Sequence, residues 1–107
     1  MSESSSKPVP TYVVNQVVVN DMATYQRYLA IAHPAIDRHG GRILAAGGRV
    51  ETLEGDAVPS RVVIIEFPSW EAAEAYYRSA EYQAARRARG DSAVVRFALV
   101  EGRPSSG

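Results

Sequence analysis

Short runs rich in β-branched residues alternate with two helical stretches along 107 residues, and that order constrains the fold more than any single motif. The first run, Tyr12-Val-Val-Asn-Gln-Val-Val-Val19, is too short and too branched to favour a helix and reads as a strand. Asn20-Asp21 supplies an N-cap. Tyr25, Tyr28, Leu29, Ala32, Ala35 and Ile36 then fall on one stripe of a helix from Met22 to about His39. Pro34 within it removes a backbone donor and crowds the carbonyl of Ala30, which predicts a kink or a break. Gly40-Gly41 ends the helix, because glycine tolerates the left-handed conformation there.

Arg42 to Ala46 and Arg49 to Leu53 read as two strand pieces separated by Gly47-Gly48, a pair that predicts a bulge or a close backbone approach. Glu54-Gly-Asp56 is a turn, and Arg61 to Phe67 is the next strand. Pro68 stops it and Ser69 caps a second helix whose apolar stripe is Trp70, Ala73, Tyr76 and Tyr77. Ser79, with Glu81 two residues on, starts a further helical piece that runs to about Arg89 and stops at Gly90. Ala93 to Glu101 is the last strand. Residues 1–10 and 103–107 are rich in Ser, Pro and Gly without an apolar period and read as disordered tails, leaving one domain over 11–102.

The order is β-α-β-β-α-β, that of a ferredoxin-like α+β sandwich. Its four-stranded antiparallel sheet has strand order 4-1-3-2 and both helices on one face. Strand residues alternate between the faces. Val13, Val17, Val19, Val63, Ile65, Phe67, Val95, Phe97 and Leu99 form an almost pure hydrocarbon set that meets the helices. The opposite set is Tyr12, Val14, Gln16, Val18, Val62, Ile64, Glu66, Val94, Arg96, Ala98 and Val100. Eight of those eleven are apolar or aromatic, whereas a sheet face in water is largely polar. Leaving them wet forgoes on the order of 10 kcal/mol, comparable to the whole stability of a domain. A second copy packing its sheet on this face is the simplest remedy, so a homodimer is expected.

Charge narrows the partners. Twelve Lys plus Arg balance twelve Asp plus Glu, which argues against nucleic acid and against an anionic membrane surface. The longest aliphatic run, Val62 to Ile65, is far short of a membrane span of roughly 20 residues. The opening Met-Ser-Glu-Ser-Ser-Ser-Lys-Pro lacks the plan of a signal peptide, so a cytoplasmic location is expected. The chain has no Cys, which removes disulfides, thiolate nucleophiles and thiolate metal ligands. His33 and His39, six residues apart, point to different helix faces, so no metal site is expected. His33 and Asp37 share a face as a solvent-side pair, and His39 caps the helix end.

Asp21-x-x-x-Tyr25-x-x-Tyr28, His39-Gly-Gly41, Gly47-Gly48, Leu53-Glu-Gly55, Arg61-Val-Val, Ile65-Glu-Phe-Pro-Ser69, Tyr76-Tyr77, Ser79-x-Glu-Tyr-Gln83 and Val100-Glu-Gly102 run in register from about Tyr12 to Gly102. In that order and spacing they resemble domain of unknown function 1330, within the dimeric α/β-barrel superfamily. The resemblance implies ferredoxin-like subunits paired sheet to sheet. The wider superfamily implies cofactor-free monooxygenases, isomerases, lyases and dehalogenating enzymes acting on small organic molecules. Ala46 stands where that family commonly has Arg, and Ala80 where it commonly has Pro. The first departure weakens any anion-binding role for the strand.

The polar residues of the outer face supply the expected chemistry. Gln16, Glu66 and Arg96 sit mid-strand among Val and Ile, the lining of a small-molecule pocket. Glu66 is the candidate base or anchor, Arg96 the holder of an anionic or carbonyl oxygen, and Gln16 the orienting amide. Tyr12, Ile64, Tyr28 and His33 are the expected further ligand contacts. The function so read is proton transfer on a small organic substrate, an isomerase, cyclase or lyase type of chemistry with no cofactor. The rival is a non-catalytic ligand-binding or assembly domain whose polar row fixes dimer register.

Overall fold

A computed structural model gives the structure of this protein, described for residues 9–59 and 61–104. Its elements are β1 (Thr11–Val19), α1 (Met22–Arg38), β2 (Arg42–Ala46), β3 (Arg61–Phe67), α2 (Trp70–Arg78), α3 (Ala80–Arg89) and β4 (Ala93–Glu101). A short 3-10 turn at Gly90–Ser92 leads into β4. The sheet is antiparallel with order β2-β3-β1-β4, and this is the ferredoxin-like arrangement read from the sequence, with the second helix in two pieces. The expected tails lie largely outside the described residues; within them, the Pro10 carbonyl accepts the Gly102 N–H at 2.7 Å.

The three helix starts are the ones their side chains encode. Asp21 accepts from the Thr24 backbone N–H, Ser69 from Ala72 and Ser79 from Tyr82. The Ser79 cap lets the chain turn at once from α2 into α3. His39 closes α1 as expected, its Nδ1 lying 2.8 Å from the Ala35 carbonyl.

Two local expectations are revised, the break at Pro34 and the strand over Arg49 to Leu53. Helix α1 continues unbroken through Pro34. Pro34 and Ala30 are both on the exposed side of the helix, where water can serve the carbonyl that Pro34 leaves without a donor. Arg49 to Leu53 is not a strand. Its pairing partner would have to be the segment before β3, where Pro59 cannot donate to a ladder. A Thr52 hydroxyl accepting from Val58 N–H at 3.0 Å holds this loop instead. Of the two alternatives at Gly47-Gly48, the structure has a backbone approach, with the Gly47 N–H donating to the Val62 carbonyl at 3.4 Å, while the register shift falls earlier, between Ile43 and Ala45.

One face of the sheet packs on the helices. Val13, Val17, Val63, Ile65 and Phe67 are buried there with Tyr25, Tyr28, Ala32, Ala35, Ile36, Tyr76 and Tyr82 from the helices. Val19, Val95, Phe97 and Leu99 pack against them, half-buried. At about 1.5–3 kcal/mol per large side chain, this face is the main source of stability. Gly41 permits the tight return from α1 into β2, since a Cβ there would lie 2.7 Å from Ile36 Cγ2 and 2.7 Å from Phe67 Cε1.

The outer face is bare. Val18 is 48% exposed, Val94 62% and Val100 48%. No helix among the described residues is long and apolar enough to cross a membrane.

Candidate functional site

The seven residues expected at a site divide between the two faces of the sheet. Tyr12, Gln16, Ile64, Glu66 and Arg96 lie on the outer face; Tyr28 and His33 lie on α1, on the other side. Gln16 is directly opposite Arg96 on β4 and Val62 on β3. Glu66 is opposite Tyr12 on β1 and Arg42 on β2. Val62 and Glu66 are four positions apart on β3, a distance of about 13 Å at strand rise. Within one subunit the expected Gln16–Glu66–Arg96 row therefore does not assemble, although its members do sit on three neighbouring strands.

Glu66 is occupied on both oxygens. Arg42 Nη2 donates to Oε1 at 2.6 Å, and the Tyr12 hydroxyl donates to Oε2 at 3.4 Å. The Arg42 side chain is largely exposed and that of Glu66 a quarter exposed, so this is a surface pair on the sheet. Arg96 is exposed beside Gln16. The outer face thus holds a polar cross-strand set rather than an enclosed site.

The enclosed space is under the helices. A cavity of about 20 Å³ lies between α1 and the inner face, with Asn15, Tyr25, Tyr28, Tyr76 and Phe97 in its wall and His33 and Ile43 at its rim. Space of this size holds roughly one water molecule. His33 and Ile43 are exposed, because no helix covers β2, and they mark its opening.

Asn15 is 4% exposed, and its Oδ1 has no hydrogen-bond partner within the protein. A buried acceptor left unpaired costs about 1–3 kcal/mol. The neighbours that Asn15 faces, Val63 and Phe97, offer no donor. It points from the hydrocarbon face of β1 into the cavity as the one side-chain amide of its wall.

The phenols around it are neutral donors. Burial pushes the Tyr28 and Tyr76 hydroxyls far above the ordinary phenol value, and burial raises Tyr82 as well. Tyr28 and Tyr82 share a hydroxyl–hydroxyl bond of 2.9 Å, while Arg89 Nη1 donates to Tyr82 at 3.4 Å. Tyr25 accepts from Arg61 Nε at 3.3 Å. His33 is the one imidazole among the lining residues. Among the described residues no group of three or more His, Asp or Glu is placed to hold a metal ion.

Tyr28 and His33, expected as contacts of the outer-face pocket, line this other cavity instead; Tyr25 and Tyr76 are expected only as core residues of their helix stripes, and Asn15 is not among the expected site residues. For Asn15 the signal was present: it is the sole amide in the inward set of Tyr12-Val-Val-Asn-Gln-Val-Val-Val19.

The model of a family described as domain of unknown function (DUF1330) matches residues 10–103. No curated protein matches. Among solved structures, the chain is similar to the RPA0582 protein of unknown function from Rhodopseudomonas palustris, at 22% identity and TM-score 0.72, over 94% of this chain and 88% of that one. It is also similar to SnoaB, a cofactor-independent oxygenase from Streptomyces nogalater, at 14% identity and TM-score 0.63, over 91% and 96% of the two chains. A conserved protein from Methanosarcina mazei Go1 matches at 13% identity and TM-score 0.54, over 89% and 94%. These likenesses establish the shared fold.

Proposed function

This chain belongs to the DUF1330 family, and we propose that it binds a small organic molecule in the cavity beneath α1 and acts on it by proton transfer, using its own side chains. The observation that carries this reading is the unpartnered Asn15 Oδ1, buried in an otherwise aromatic and aliphatic wall. A lone buried acceptor is a cost to folding and a gain to binding, since a ligand hydroxyl or N–H that reaches it removes the penalty. The ligand so recognised presents one donor to Asn15 and keeps its body at the cavity mouth beside His33 and Ile43, since the interior has room for roughly one water.

His33, at the rim, is the proton acceptor in this reading. Its imidazole takes a proton from the ligand at the cavity mouth and returns it to the product or to water outside. The neutral phenols of the wall donate hydrogen bonds to an oxygen that gains negative charge. The resemblance in fold to SnoaB, a cofactor-independent oxygenase, supports chemistry that side chains carry alone. Space for one water means that the exposed His33 and Ile43 side chains must swing aside to admit a substrate.

The outer face has a separate role in this proposal. It closes against a second copy of the chain, and the Gln16–Arg96 and Arg42–Glu66–Tyr12 sets fix the register of the two sheets. The exposed Val18, Val94 and Val100 support this, being apolar side chains that gain by being covered.

A second reading, in which the protein binds a ligand without transforming it, is favoured by the exposure of His33, which stands apart from the buried Asn15. A thermal-shift screen of small phenols, lactones and carboxylates against the wild type and Asn15→Val and His33→Gln variants separates them. Stabilisation of the wild type and loss with Asn15→Val supports the site. Turnover lost with His33→Gln while stabilisation persists supports the enzyme. No compound acting on the wild type overturns both.

A further inference from the structure

A second cavity, of about 150 Å³, lies on the far side of the Phe97 ring, between α2 and β4. Its floor is Tyr77, Phe97 and Leu99, all half-buried. The Tyr77 ring is held in place by Tyr82 at 5.3 Å and Phe97 at 5.2 Å between centroids, with the Arg86 guanidinium 5.5 Å from its centroid. Gln83 also donates to the Tyr77 carbonyl at 2.6 Å, which fixes the turn from α2 to α3. The apolar wall is therefore preformed. A cavity of that size accommodates a group of about the volume of benzene.

Glu74 and Arg78, one helical turn apart on α2, stand at the rim. Arg78 Nη2 donates to Glu74 Oε2 at 3.5 Å, an exposed ion pair that is longer than Arg38–Glu81 at 2.7 Å, and one that a ligand's two charges can replace. Beside them runs the free edge of β4. This strand pairs only with β1, through nine consecutive positions without a bulge, whereas the other edge strand, β2, is bulged. Natural edge strands are commonly broken or covered, and an unbroken one presents backbone donors and acceptors. An anion holder, a cation holder, a ring-sized apolar hole and an open backbone edge thus meet in one place.

From this juxtaposition we propose that the groove between α2 and β4 binds a zwitterionic α-amino acid with an aromatic side chain. The ring enters between Tyr77, Phe97 and Leu99, the ammonium meets Glu74 and the carboxylate meets Arg78. The site is separate from the cavity beneath α1, with Phe97 as the wall between them.

Titration of the full chain with L-phenylalanine, followed by amide NMR, tests this. The expected result is saturable shifts at Tyr77, Arg78, Phe97 and Leu99. Phenylacetate, which lacks the ammonium, and phenethylamine, which lacks the carboxylate, bind roughly tenfold more weakly. Exposed variants Glu74→Gln and Arg78→Gln each lose roughly tenfold in affinity for L-phenylalanine, with unchanged thermal midpoints. The proposal is overturned if no saturable shift occurs up to about 10 mM, a weak limit for any specific site. It is equally overturned if the two half-ligands bind as well as the amino acid. Shifts confined to Asn15, Tyr25 and Tyr28 overturn it too, while supporting the cavity beneath α1.

Discussion

Asn15 lies directly opposite Phe97 across the β1–β4 ladder and directly opposite Val63 across β1–β3, so a buried amide is set between two hydrocarbon side chains. Replacing it by Val removes the unpaired acceptor, suits a strand, and adds volume toward the neighbouring cavity. Asn15→Val is expected to raise stability by about 1 kcal/mol, read as a higher urea midpoint at unchanged slope. Loss of more than about 1 kcal/mol would mean that Asn15 is a structural hydrogen-bonding residue.

The Arg42–Glu66 contact is short, at 2.6 Å, but its side chains are 72% and 25% exposed. Surface pairs of this kind contribute about 0–1 kcal/mol. Glu66→Gln should therefore lower stability by less than about 1 kcal/mol and leave ligand binding in the cavity beneath α1 intact. Abolished binding with an intact fold would move the site to the outer face.

That division shows what the sequence makes legible. Strand alternation placed Glu66, Gln16 and Arg96 on one face, and the structure agrees. Alternation is blind to register, which sets Val62 rather than Glu66 beside Gln16. The caps at Asp21, Ser69 and Ser79 are local chemistry, and each is found where its side chain indicates. The loop over Arg49 to Leu53 has strand-like composition, but a strand needs a partner, and partners are set by distant residues. Asn15 is passed over for a similar reason: it stands among valines, and counting apolar positions hides one amide.

Gly47 has φ +74°, and a Cβ there would collide with the Arg61 guanidinium, which reaches past it to the Tyr25 hydroxyl. The Arg61 guanidinium also lies 5.2 Å from the Tyr25 ring centroid. Gly47→Ala is expected to cost about 1–3 kcal/mol through the strained backbone, while the flexible Arg61 tip shifts to make room. Chemical denaturation measures the loss. An unchanged midpoint would show that the loop relaxes freely and that Arg61 is not held by it.

Burial raises Tyr28, Tyr76 and Tyr82 above the free phenol value of 10.0. The folded chain therefore keeps these protons where the unfolded chain releases them. Their contribution to stability is complete below pH 10 and falls as pH rises beyond it. In an alkaline titration the phenolate absorbance of these residues should appear only together with loss of near-ultraviolet circular dichroism. Ionisation of all phenols with the fold intact would contradict their burial.

Val94 is 62% exposed and faces away from the helices, opposite Val18. A lysine there is nearly free of cost to the isolated chain but places a charge in the proposed sheet-to-sheet pairing. Light scattering should give a mass near twice 11.6 kDa for the wild type and near 11.6 kDa for Val94→Lys. A wild-type mass near the single-chain value would remove the proposed pairing.

The most direct measurement is the set of side-chain NMR signals of Asn15 and His33 during titration with the compound that stabilises the protein most. The expected result is saturable movement of the Asn15 side-chain amide and the His33 ring at the same ligand concentration, with Gln16 and Arg96 undisturbed. Movement of Gln16 and Arg96 while Asn15 and His33 stay fixed would contradict a site beneath α1.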